Sequence, residues 1–171
     1  MNQKQFAATT LRKTREGSFA VLGGSVIIAY GFVGVATSTF LSNLTQLGTG
    51  DYLRLWTLAI LTIVCGFVIV LAGFLIASDG TWRVWGGGII GILGSLIGVV
   101  VSLALILTIV GLEASNAFTF GSNAQFNTSF ELLVIGSIPT MFVGFPLSMY
   151  GSAGGVMSQD NESAEVLESQ P

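Results

Sequence analysis

Few residues of this chain have the means to do chemistry, and their spacing withholds most reactions. The 171 residues include no histidine, so no Ser–His or Cys–His nucleophile can form and no imidazole can hold a metal or haem. The one cysteine, Cys65, has no second thiol for exchange and no neighbouring charge to stabilise a thiolate, and reads as a small apolar residue. A serine–lysine pair fails too, because Lys4 and Lys13 both lie in the first 16 residues. Gly86–Gly91 carries the letters of a dinucleotide motif without the preceding strand, and no glycine loop leads into a phosphate-binding lysine. No catalytic residue, cofactor site or metal site is expected, and the chain is not read as an enzyme.

The remaining polar groups are hydroxyls inside apolar runs: Tyr30, with Ser25, Thr37, Thr62, Ser95, Ser102, Thr108 and Thr140. Together they could line a seam for a small neutral solute. Their commoner role is to hydrogen-bond their own helix or a neighbour, at ~0.6 kcal/mol per contact.

The elements that carry these residues follow from composition. There are 6 basic and 9 acidic residues, 9% of the chain, against ~25% in soluble domains. The hydrophobic fraction is 51%, the mean hydropathy +0.80, and glycine is raised to 23. So few charges cannot cover a water-soluble domain. A soluble enzyme, a nucleic-acid binder and a disordered chain are excluded; an integral membrane protein is expected.

Four stretches are long and apolar enough to cross a hydrocarbon core, which takes ~20 helical residues. They run over about 17–41, 55–77, 84–112 and 132–151. The first is too long for a cleaved signal peptide and is read as retained. The last carries Pro139 and Pro146 and is expected as a kinked span. The predicted fold is an all-α polytopic membrane protein, a four-transmembrane-helix bundle over 17–151. A basic segment, 1–16, precedes it, and an acidic tail, 152–171, follows. The tail holds Asp160, Glu162, Glu165 and Glu168 and no base, and is expected to be disordered.

Lys4, Arg12, Lys13, Arg15 and Arg83 fall on one side of the expected membrane and only Arg54 on the other. By the positive-inside rule both termini face inward, in a cell (plasma) membrane. The basic segment reads as this orientation signal, with attraction to anionic headgroups, about 1 kcal/mol per cation, as the sharper alternative. Tyr52 and Trp56 mark the outer interface; Trp82, Trp85 and Tyr150 mark the inner one.

Small residues recur at helical spacing. Gly87, Gly91, Gly94, Gly98 and Ser102 share one face of the third span. Gly136, Thr140, Gly144, Ser148 and Ser152 share one face of the fourth, and Ala59, Gly66 and Gly73 recur every seventh residue of the second. Such stripes let backbones approach and drive helix association in lipid. Their partner is either another helix of the chain or another subunit. The segments at Val21–Ile27 and Val84–Ile90, and at Thr62–Phe67 and Thr140–Phe145, look alike, a candidate 2+2 internal repeat.

The stretch 113–130 is expected as an outer loop. Its Phe118, Phe120, Phe126 and Phe130 are too apolar to stand free in water, and form a candidate partner surface. Asn127, and less favourably Asn43, match the glycosylation pattern. The function expected from all this is a structural, accessory-subunit or partner-binding role in the lipid bilayer, with another membrane protein or a second copy as partner and no nucleic acid. The alternative is a passive channel or small-solute permease formed by oligomers.

Overall fold

The computed structural model describes the backbone of residues 3–44, 49–78, 80–114 and 124–168, and side chains over 10–40, 49–78, 80–111 and 131–157. Among them every regular element is helical: α1 (Gln3–Leu44), α2 (Thr49–Ala77), α3 (Thr81–Ala114), α4 (Ala124–Pro139), a π-turn (Thr140–Gly144) and α5 (Phe145–Glu168). Four stretches are long and apolar enough to span a membrane: Thr10–Phe40, Thr49–Ala77, Thr81–Gly111 and Glu131–Met157. The fourth combines α4, the π-turn and α5. α1 and α3 each pack against α2 and α5, so they sit on the diagonal of a four-cornered bundle, and α4 continues α5 alongside α1.

The two prolines explain the π-turn. Pro146 has no N–H to offer the carbonyl one turn back, and the ring of Pro139 crowds its own preceding turn. The chain absorbs both by widening: the Phe145 N–H reaches back five residues to the Thr140 carbonyl. Where a kink was expected, the span carries a π-turn framed by its two prolines.

The helices outrun the expected spans. α1 begins at Gln3, and α5 runs through Glu168, where composition led us to expect a disordered tail from 152. No glycine or proline interrupts the chain between Gly155 and Pro171, and Ala, Glu, Leu and Met favour helix. Adding turns to a helix already nucleated in the bundle costs little. At 1.5 Å per residue the 42 residues of α1 reach about 63 Å, twice the ~30 Å hydrocarbon thickness. The outer loop also shortens, because α4 starts at Ala124 and takes in Phe126, Asn127 and Phe130.

The α2–α3 connection is a tight turn. Ser78 Oγ and Ser78 N–H both donate to the Leu75 carbonyl, and the Arg83 and Val84 N–H groups donate to Gly80 O at 3.1 Å. Gly80 has φ +124°, which a side chain would strain. Gly80→Ala is expected to destabilise the bundle by at least about 1 kcal/mol, read as a lower melting temperature in detergent.

Candidate functional site

Small residues set how the helices meet. Gly17, Gly24 and Gly31 of α1 face Gly73, Gly66 and Ala59 of α2. A Cβ at Gly24 would stand 2.8 Å from Gly66 O, and one at Gly73 would stand 2.7 Å from Gly17 O. On α3, Gly87 abuts Ala72 and Ile76 of α2, Gly94 abuts Ile69, and Gly98 abuts Phe145 and Cys65. Gly91 receives the Ser152 hydroxyl of α5. Gly136 lies under the Tyr30 ring, and Gly144 against Val26 and Ile27. The glycine stripes therefore meet helices of their own chain. Sequence reasoning passed over the seven-residue spacing on α1, although it mirrors the one on α2.

The packing lends no weight to an internal repeat. Gly66 and Gly144, aligned by sequence, both face α1. A duplication about an axis along the membrane normal would turn Gly144 towards α3.

A polar column runs along this interior. It begins at the end of the bundle where α1 starts and α5 finishes, the basic end. Glu16 is 2% exposed there and accepts from Arg12 Nε at 2.9 Å. Its carboxylate occupies the notch left by the missing side chain of Gly154, where a Cβ would lie 2.8 Å from Glu16 Cδ, while Gly151 lies against its backbone. Oε2 has no hydrogen-bond partner. Glu16 is the residue that sequence reasoning missed, having been counted within the basic segment 1–16; its available signal was Arg12 one turn before it.

A serine trio follows between α3 and α5. The hydroxyls of Ser95 and Ser148 are 2.7 Å apart, and each also lies within hydrogen-bond reach of a carbonyl, Gly91 O for Ser95 and Phe145 O for Ser148. Two hydroxyl protons serve three contacts, so one carbonyl contact is given up whenever the serines bond each other. Ser152 is fully buried beside them, its hydroxyl unpartnered.

Next comes an apolar plug of Ile27, Ile69 and Phe145, none more than 2% exposed, backed by Val99 and Met141. Beyond the plug lies a second group of hydroxyls. Thr62 and Thr140 donate to carbonyls four residues back, at 2.9 Å each, whereas Tyr30 OH and Ser102 Oγ are buried and unpartnered. Tyr30 is set there among Leu55, Ala59, Leu105, Ile109 and Leu133. Of the other hydroxyls in the expected seam, Ser25 and Thr108 bond their own helix and Thr37 is buried.

Chemically the column can hydrogen-bond within and between helices. Among the described residues no three His, Cys, Asp or Glu side chains are placed to hold a metal. Cys65 is buried against Gly98. Phe118 and Phe120 lie outside the described residues. Phe126, Asn127 and Phe130 are in the first turns of α4, and Asn43 is one residue from the end of α1. Of the aromatics expected at the interfaces, Trp56, Trp82 and Trp85 are exposed, Trp82 at 89%, Tyr52 is half-buried, and Tyr150 packs edge-on against Phe19 of α1 at 5.7 Å between ring centres.

The Arg12–Glu16 pair makes an ordered prediction. Arg12→Gln leaves Glu16 buried without its cation and is expected to lower stability by about 1–3 kcal/mol. Adding Glu16→Gln should restore part of the loss, since a neutral amide is cheaper to bury. Melting curves of both variants check this.

The fold and its polar column define the class: a polytopic, all-α integral membrane protein of four spanning helices. No family model, curated protein or solved structure matches the chain.

Proposed function

We propose that the protein is a structural or accessory component of a membrane assembly and not an enzyme. The observation that carries this reading is the closed interior: among the described residues Ile27, Ile69 and Phe145 form a buried apolar cluster between the two hydroxyl groups and interrupt the polar column. With the glycine faces spent on internal packing, the phenylalanines of the stretch 118–130 are our candidate contact for a partner, either another membrane protein or a second copy. The distribution of Lys and Arg supports a cell-membrane protein with both termini inside.

Crosslinking and native mass spectrometry after purification in mild detergent test the role. A stoichiometric partner or dimer is expected, lost when Phe118 and Phe120 are replaced by serine. Monomer alone, with nothing crosslinked in intact membranes, would refute it.

A second reading, a passive permease for a small neutral solute, draws on the unpartnered hydroxyls of Ser152 on one side of the plug and of Tyr30 and Ser102 on the other. Each could hydrogen-bond a passing guest once the plug moved. Sealed liposomes showing no flux of water, ions or neutral solutes end that reading.

A further inference from the structure

We propose that the parts of α1 and α5 beyond the basic end of the bundle dock on each other, antiparallel, as an intramolecular charge-paired hairpin. The basic extension of α1 is then the occupant of the acidic face of α5, an assignment independent of the role proposed above.

The register is set where the two helices touch. Gly23 lies against Ser148, Gly151 against Ala20, and Gly154 against Glu16. Each step towards the N-terminus of α1 is thus matched by a step towards the C-terminus of α5. Neither helix stops at the last of these contacts: α1 continues back to Gln3 and α5 on to Glu168. Carried forward, the register brings Lys13 level with 158, Thr9 level with 162 and Lys4 level with 167.

The stripe of α5 that meets α1 passes through Gly144, Gly151 and Gly154. Helical spacing continues it through 158, 161 or 162, and 165. Glu162 and Glu165 fall on this stripe, with Glu168 one turn further. The facing extension of α1 carries Lys4, Arg12, Lys13 and Arg15 and no acid before Glu16; beyond Met157, α5 carries four acids and no base. One extension is therefore wholly cationic, the other wholly anionic, and they leave the bundle side by side. At the bundle edge Glu16, held by Arg12 of its own helix, already lies in the α1–α5 seam against Gly151 and Gly154.

The docked state answers an energetic problem for each strand. Four acids within nine residues repel one another along α5, and a lone helical extension has no tertiary contact to hold it. Antiparallel packing against a cationic helix relieves both. Charge pairing beyond the bundle end is screened by salt, so the hairpin should open as salt is raised.

Disulfide trapping in the full chain tests the geometry. In a Cys65→Ala background, Thr9→Cys with Asn161→Cys places two thiols level on the facing stripes. Ala7→Cys with Asn161→Cys places one of them on the far side of α1. The facing pair should crosslink within the chain roughly tenfold faster, since docking raises effective concentration, and the advantage should shrink in 1 M salt. Equal rates for the two pairs, a salt-independent rate, or crosslinks only between chains would overturn the proposal. A second measurement needs no engineered thiol: trypsin cleavage after Lys4 should accelerate several-fold in the triple variant Glu162→Gln, Glu165→Gln, Glu168→Gln. Unchanged cleavage would also overturn it.

Discussion

Phe145→Ala is expected to lower the stability of the bundle by about 2 kcal/mol, less than the ~3–5 kcal/mol typical of such a change in a water-surrounded core. The reduction has a physical source. In water the lost term combines transfer free energy with the cost of the void. In lipid the unfolded reference is already apolar, so transfer contributes little and the void dominates. The void here is large, because Phe145 fills the space that Gly98 leaves open, a Cβ there lying 2.7 Å from Phe145 Cε1, and packs in one cluster with Ile27 and Ile69. Phe145→Leu keeps most of the volume and should cost less than half as much. The same variant separates the two functional readings. Removing the ring thins the apolar barrier between the serine trio and the group around Tyr30, so under the permease reading Phe145→Ala liposomes should leak small neutral solutes faster than wild type. Under the structural reading melting falls and flux stays at background. A melting temperature equal to wild type would show that the ring does not fill the core.

How far the sequence foretold this arrangement depends on whether a feature is local or crosses between helices. The spans were legible because twenty apolar residues without a charge have one ordinary use. The stripes on α2 and α3 were legible because helical spacing alone puts Gly87, Gly91, Gly94 and Gly98 on one face. Their partners were not, since the opposing notch is supplied by residues far along the chain. Glu16 shows this best. A glutamate at the edge of a span is normally solvated, and Arg12 one turn earlier hints at an ion pair but not at burial. Its burial depends on Gly151 and Gly154, whose missing side chains admit the carboxylate. The limits of α4 and α5 were misjudged for another reason. Asn127, Ser129 and Asp160 are poor helix formers, but propensities of a few tenths of a kcal/mol per residue do not stop a helix already growing from the bundle. The plug was invisible because it requires a β-branched residue from each of two helices to meet the residue directly after a π-turn.

Gly151→Ala should be among the most disruptive single-methyl additions the protein can receive, at about 1–3 kcal/mol, while the same change at Gly111 should be neutral or slightly stabilising. The contrast isolates packing from helix propensity, because both glycines sit in helices. At Gly151 the new Cβ would meet Glu16 O at 2.5 Å and Ala20 N at 2.6 Å. Both are backbone atoms, which cannot rotate aside, so α1 and α5 must separate along the seam. Separation would loosen the notch at Gly154, the register at Gly23 and the Glu16 carboxylate together, which places the expected loss towards the upper end of the range. At Gly111 a Cβ meets nothing within 4 Å. Parallel melting or denaturant titrations of the two variants in one detergent decide the matter. A similar melting temperature for both would mean that the α1–α5 seam is wider than the structure has it, and the register on which the charged hairpin depends would lose its anchor.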